Sequence, residues 1–151
     1  NLYKIINQNK TNQRTSLLIS LFETNYLKVE ELFPKKLNTH FFRFSLPEGN
    51  LHNNVSINRI SFSSHTDLFI IKQSKFKTLG LKNIEIEVVI YHDAKMAEVT
   101  KFNKKRIPWF MNYYPKLSIY SKDEKLQWNL FLFEWLKFSK REGLADLTLN
   151  T

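Results

Sequence analysis

Two stretches with helical apolar spacing, one near each end of the chain, enclose a middle stretch whose apolar residues alternate. That order constrains the fold more than any single motif. Leu18, Leu21, Phe22, Val29, Leu32 and Phe33 recur at three- and four-residue steps, which predicts a helix over 15–33 with one apolar stripe. Thr15 or Ser16 is the expected cap, and Pro34 the stop. Near the other end, Trp128, Phe131, Leu132, Trp135 and Phe138 predict a helix over 121–142. Ser121 and Glu124 have the spacing of a capping box, Asp123 and Glu124 suit the positive helix end, and Gly143 is placed to end it. Leu130 and Phe133 fall off the main stripe, so this helix carries more apolar surface than one buried face requires.

The strands between them are read from period two. Phe42, Phe44 and Leu46 share one side of a first strand, and Pro47, Glu48, Gly49 and Asn50 are turn residues. Val55, Ile57, Ile60 and Phe62 predict a second, and the change of phase between Ile57 and Ile60 predicts a bulge. Leu68–Ile71 marks a third, followed by a loop over 74–81. The clearest strand is 82–92, with Ile84, Ile86, Val88 and Ile90 on one face and Glu85 and Glu87 on the other. Val89 and Tyr91 make both of its faces apolar at the end, so it is expected to run from an edge into the sheet's interior. Met96–Phe102 returns antiparallel after a turn, and 106–114 reads as a further strand that Pro108 confines to an edge or bulge. The expected fold is α+β: an antiparallel sheet of about four to six strands flanked by an N-terminal and a C-terminal amphipathic helix. The Asn/Gln-rich residues 1–14 are expected to be a loosely ordered arm, or one anchoring turn through Leu2, Tyr3, Ile5 and Ile6, and 15–151 a single domain.

Composition removes whole classes of chemistry. Among 151 residues there is no cysteine, which excludes disulfides, iron–sulfur clusters, Cys zinc sites and thiol catalysis. Three glycines, far apart, exclude a P-loop or dinucleotide fingerprint, and there is no GxSxG elbow. No run approaches the roughly 18 apolar residues of a membrane span, and no signal-peptide pattern opens the chain, so a cytoplasmic protein is expected. The chain starts at Asn1 rather than Met, which leaves room for a segment ahead of it. No cofactor and no metal are expected.

The formal charge of +9 is uneven. Lys101, Lys104, Lys105, Arg106 and Lys116 interleave with Trp109 and Tyr113, Tyr114 following. Cations beside stacking rings are what a nucleic-acid surface combines, so Lys101, Lys104, Lys105, Arg106, Trp109, Tyr113 and Lys116 are the candidate binding set for RNA or another polyanion. Solvated lysines beside core aromatics give the same pattern, and the signatures of RRM and KH domains are absent. Of His40, His52, His65 and His92, none has a second ligand at HExxH or HxH spacing. His92–Asp93 is the sharpest pair. Its structural reading is Asp93 opening a turn with His92 packed beside it. Its functional reading is a polar corner in which His92, Asp93 and Glu98 serve as candidate catalytic residues of a hydrolase. Glu98, if covered, needs a cation, for which Lys101 and Arg106 are candidates.

These residues carry a likeness. Tyr91-His92-Asp93-Ala94 followed by Ala97-Glu98-Val99 resembles the signature of the YqiB family, small proteobacterial proteins with a domain of unknown function. Tyr114-Pro115, Asp123-Glu124-Lys125, Asn129, Phe131-Leu132 and Trp135-Leu136 resemble that family's second signature, and Leu21 to Pro34, with Asn25 and Tyr26, is similar to its first helix. The likeness spans roughly 17–143. Lys116 departs from the Asn usual after Pro115, and Lys35–Asn54 is longer than in the family. The resemblance implies a bacterial cytoplasmic protein with no reaction, ligand or catalytic residue to carry over. The first expectation for function is therefore a non-enzymatic accessory protein that binds an anionic partner such as RNA. The second is a protein–protein adaptor or homodimer using the apolar C-terminal helix, and the third is the hydrolase.

Overall fold

A computed structural model describes residues 2–48, 51–74, 83–102 and 124–143. The element order is α1 (Leu2–Leu32), a short 3-10 helix (Lys35–Leu37), β1 (Phe41–Glu48), β2 (Leu51–Ser63), β3 (Thr66–Gln73), β4 (Ile84–Tyr91), β5 (Met96–Phe102) and α2 (Glu124–Glu142). The five strands lie in chain order, each antiparallel to the next. This is the α+β arrangement of antiparallel sheet with a helix from each end of the chain.

Alternation decides the sheet's two faces. Phe42, Ile57, Ile71, Ile86 and Phe102 stand directly across from one another, and all are buried. On this face they meet Val29, Leu32 and Phe33 at the end of α1 and Phe131, Leu132, Trp135 and Leu136 of α2. Fully burying each such side chain contributes about 1.5–3 kcal/mol. Trp135 also donates its indole N–H to Gln73 Oε1 at 2.8 Å, which pins α2 to β3. Both helices therefore cover one face, and among the described residues no helix or strand covers the other.

Several expectations are corrected here. Helix α1 begins at Leu2 rather than near residue 15, so helical backbone runs through the segment expected as an arm. No Gly or Pro interrupts residues 1–33, and a helix anchored from Leu21 onward elongates at the cost of one residue per added bond. In β2 the predicted bulge between Ile57 and Ile60 is absent. Strict alternation continues, which turns Val55, Ile57 and Arg59 inward and leaves Ile60 and Phe62 outside, 42% and 64% exposed. The register shift lies instead between Ser61 and Ser63. Strand β4 lies between β3 and β5 from Ile86 to Tyr91, and Val89 and Tyr91 are among its outward residues. The surplus apolar residues of α2 are also covered: Leu130 packs against the core, and the ring of Phe133 has the ammonium groups of Lys28 and Lys137 each 5.2 Å from its centroid. The strand expected at 106–114 and the Ser121 cap lie outside the described residues.

At the far end of α2, Gly143 still donates its N–H to Ser139 O at 2.8 Å. What requires glycine is proximity to β1, since a Cβ there would lie 2.8 Å from Phe44 Cδ2 and 3.0 Å from Leu46 Cδ2. No helix among the described residues is long and apolar enough to cross a membrane.

Candidate functional site

Two regions hold the side chains that could do chemistry or bind: a polar node under α1, and the open face of the sheet.

The node gathers around His92, in the turn between β4 and β5. Its backbone N–H bonds to His65 O at 2.8 Å, so this turn is tied to the one between β2 and β3. Its side chain is 10% exposed. Nε2 lies 2.8 Å from Asp67 Oδ2, and Nδ1 lies 3.2 Å from the Tyr26 hydroxyl. A carboxylate accepts, so Nε2–H donates to Asp67, and in the neutral ring Nδ1 is then the acceptor for the phenol O–H. Asp67 is 1% exposed, and its other oxygen accepts from Ser61 Oγ at 3.1 Å. Glu30 Oε1 stands 3.7 Å from Nδ1. Burial, reinforced by the charges of Glu30 and Asp67, pushes the Tyr26 phenol above its ordinary range near 10.

Arg59 completes the node from β2 and is 6% exposed. One Nη donates to Phe33 O, the other to Pro34 O at 3.4 Å. Its guanidinium lies between the rings of Phe42 and Phe69, at 5.2 and 4.9 Å from their centroids. Burial lowers its pKa, and Asp67 and Glu30 oppose that shift. These bonds join α1, the chain after it, β2, β3 and both turns. Tyr26, His92 and Asp67 follow in one hydrogen-bonded series that holds α1 to the two turns.

The sign of this shift gives a testable outcome. A phenol whose folded pKa is raised contributes stability that is intact below about pH 10 and is lost as pH rises through the folded value. Stability measured by urea unfolding is expected to fall more steeply above about pH 10 in the wild type than in Tyr26→Phe. Equal slopes would show that Tyr26 ionises as freely in the folded chain as in the unfolded one.

The three residues suspected of hydrolysis have separate partners. His92 is held by Asp67 and Tyr26. Asp93 is exposed and accepts from the Ala94 N–H at 2.9 Å, the turn role expected for it. Glu98 pairs with Lys125 of α2, whereas Lys101 pairs with Glu87 and Arg106 lies outside the described residues. No three His, Asp or Glu side chains among the described residues are grouped to hold a metal ion. Of the candidate binding set, Lys101 is 64% exposed and 3.8 Å from Glu87 Oε2, whereas Lys104, Lys105, Arg106, Trp109, Tyr113 and Lys116 lie outside the described residues. Sequence reasoning missed Arg59, Asp67 and Tyr26 as one cluster. Arg59 had a signal: it keeps the inward phase of Val55 and Ile57, which the assumed bulge concealed. Nothing local in the chain signals that Tyr26 and Asp67 meet His92.

The open face is ordered in rows across the strands. One row reads Phe41, Asn58, Ile70, Glu87, Lys101, and the next Ile60, Leu68, Val89, Glu98. Beyond them lie Phe62, Tyr91 and Met96, so this half of the face is largely apolar. Phe41 is 41% exposed, with the Arg43 guanidinium 5.3 Å from its ring centroid. The other half is polar and forms a concavity of about 890 Å³ whose lining includes Arg43, Asn54, Ser56, Lys72, Ser74 and Glu85.

The sequence model of a family described as "Protein of unknown function (DUF1249)" matches residues 28–145, which hold the sheet, α2 and all of the node except Tyr26. No curated protein and no solved structure matches the chain.

Proposed function

Because the chain belongs to the DUF1249 family, whose function is not known, we propose its role from geometry: a non-enzymatic accessory protein that holds a polypeptide partner on the open face of its sheet. The observation that carries this reading is the apolar half of that face, where Ile60, Leu68 and Val89 stand in one row with Phe41 and Phe62 exposed beside it. An antiparallel sheet facing only water alternates to polar residues on its outer side. A contiguous apolar surface rimmed by charge instead fits a protein contact. The partner's surface would be apolar at its centre, with charges of both signs around it, since Arg43, Lys72 and Lys101 share this face with Glu85, Glu87 and Glu98.

That balance of signs supports the RNA reading less well. Phosphate needs a surplus of cations. The RNA reading rests on Lys104, Lys105, Arg106 and Trp109, and its site is the segment after β5. The bacterial cytoplasm and the YqiB likeness belong to this proposal as its expected setting.

A photo-crosslinking residue placed at Phe62, compared with one at Lys137 on α2, tests it in cells. Polypeptide adducts from position 62 and none from 137 are expected. Nuclease-sensitive adducts at 62, or adducts at 137 alone, would overturn the reading.

A further inference from the structure

The two edges of the sheet are unlike. At β5, α1 and α2 both pack against the strand, and the Val99 N–H is taken by Asn129 Oδ1 at 3.1 Å. At β1 the ladder itself decides which backbone groups are left over. His40 O accepts the Arg59 N–H at 2.8 Å, which sets the phase of the pairing with β2. In an antiparallel pair, residues alternate between bonding the neighbouring strand and turning their N–H and C=O away from it. Phe42, Phe44 and Leu46 therefore bond β2, and Phe41, Arg43 and Ser45 direct their backbone groups to the outside. The N–H and C=O groups of Phe41 and Ser45 have no partner among the described residues.

We infer that the edge of β1 is a strand-addition site. Its occupant is an extended segment of the partner protein, apolar at alternate residues and acidic once on its outward side. The inference rests on the docking reading above and adds how the partner's chain is held. Sheet edges are ordinarily protected by a covering element, a bulge or a very short strand. Among the described residues β1 has none of these. Its eight residues pair with β2 in unbroken register. The end of α2 reaches it from the buried side, where Gly143 lies against Phe44 and Leu46. Pro47 has no N–H to offer, so the outward donors run from Phe41 to Ser45.

The groups at this edge define the chemistry that fits it. Donors and acceptors in this alternation are met by an extended backbone, which carries the reciprocal set. Opposite Phe42 and Phe44, side chains of the added strand face the buried side of the sheet, where apolar ones are needed. Opposite Phe41, Arg43 and Ser45 they face outward. Arg43 is exposed at the middle of this stretch, so a carboxylate across from it is the complementary charge. The added strand also joins the apolar half of the open face. Phe41 is the β1 member of the row that continues through Asn58 and Ile70, and a strand beside β1 gives that row a further member.

The test titrates the purified, isotope-labelled chain with two synthetic peptides of about nine residues, long enough to span the strand, and follows the amide NMR signals. Both peptides alternate threonine with valine, and the central threonine is replaced by glutamate in one and by lysine in the other. Saturable binding of the glutamate peptide below about 1 mM is expected, with the Phe41 and Ser45 amides moving most. The lysine peptide should bind about fivefold more weakly, and Arg43→Glu should reverse that order. Ser45→Pro removes an outward donor without touching the ladder to β2, the placement at which a sheet tolerates proline. It should weaken the glutamate peptide about tenfold. Its unfolding curve separates loss of the edge from loss of the fold, and the Arg43→Glu reversal decides the matter should Ser45→Pro fail to fold. No saturation up to about 1 mM overturns the inference, as does unchanged affinity in folded Ser45→Pro or an unreversed order in Arg43→Glu. So do shifts confined to Ile60, Leu68 and Val89, which would put the peptide on the face and leave the docking reading standing. A peptide that occupies the edge while position 62 gives no adducts would instead sink the docking reading, so the two fail separately.

Discussion

Arg59→Ala is expected to lower the stability of the fold by about 3 kcal/mol or more, measured by urea unfolding. A buried guanidinium depends on hydrogen bonds from its donors and on packing against its planar faces. Here two of the donors serve Phe33 O, just past the end of α1, and Pro34 O, which also accepts the Leu37 N–H, while Nε has no partner among the described residues. The faces lie against Phe42 and Phe69 in the core. Truncation to alanine strands the Phe33 carbonyl, leaves Pro34 O with the Leu37 N–H alone, opens a cavity between two rings, and removes the cation whose field reaches Asp67 and Glu30. Arg59→Lys should recover little, because an ammonium cannot span two carbonyls while lying flat between rings. Arg59→Met should restore packing without the hydrogen bonds and fall between. Against a total of about 5–15 kcal/mol, a loss this large leaves a readily detected unfolded fraction. A loss under about 1 kcal/mol would mean that the node is incidental to the fold.

The second large effect is expected at Asn129, on the buried side of α2. Its Oδ1 accepts the Val99 N–H of edge strand β5 at 3.1 Å, and its Nδ2 donates to Lys125 O at 2.8 Å. Its own carbonyl accepts from Asn25 Nδ2 of α1 at 3.0 Å, a bond to backbone that survives substitution. Asn129→Ala strands the Val99 amide out of reach of water, at a cost of about 2 kcal/mol. Asn129→Asp keeps the acceptor but sets a carboxylate oxygen against the Lys125 carbonyl, so it rescues only in part. Hydrogen exchange gives a local readout: the Val99 amide should lose protection beyond what global destabilisation explains. Unchanged protection there would show that the strand edge is held by other means.

Both residues bear on how much of this protein is legible in its sequence. Asn129 stands in the chain as part of a family-like run, yet its role depends on α2 lying beside β5, a docking that no local spacing specifies. Arg59 is within reach of period two, but a bulge between Ile57 and Ile60, expected from the change of phase, hides it. That assumption is sound when a strand has one wet face. It fails when the wet face is itself apolar, and this is the feature that suggests a partner. The helix surplus at Leu130 and Phe133 misled in the opposite sense. An apolar side chain off the main stripe can still meet the core or be roofed by lysines, as both are here.

From sequence alone come the α+β class, the antiparallel order, the two helices and most strand positions. These follow from 3.6- and 2-residue periodicity and from turn chemistry, which act over a few residues. Only tertiary structure decided that both helices cover one face, that Arg59 points inward, and that His92 meets Asp67 and Tyr26, 25 and 66 residues away. Strand register and helix docking set those meetings, and both are chosen by the packing of the whole core rather than by any neighbouring residue.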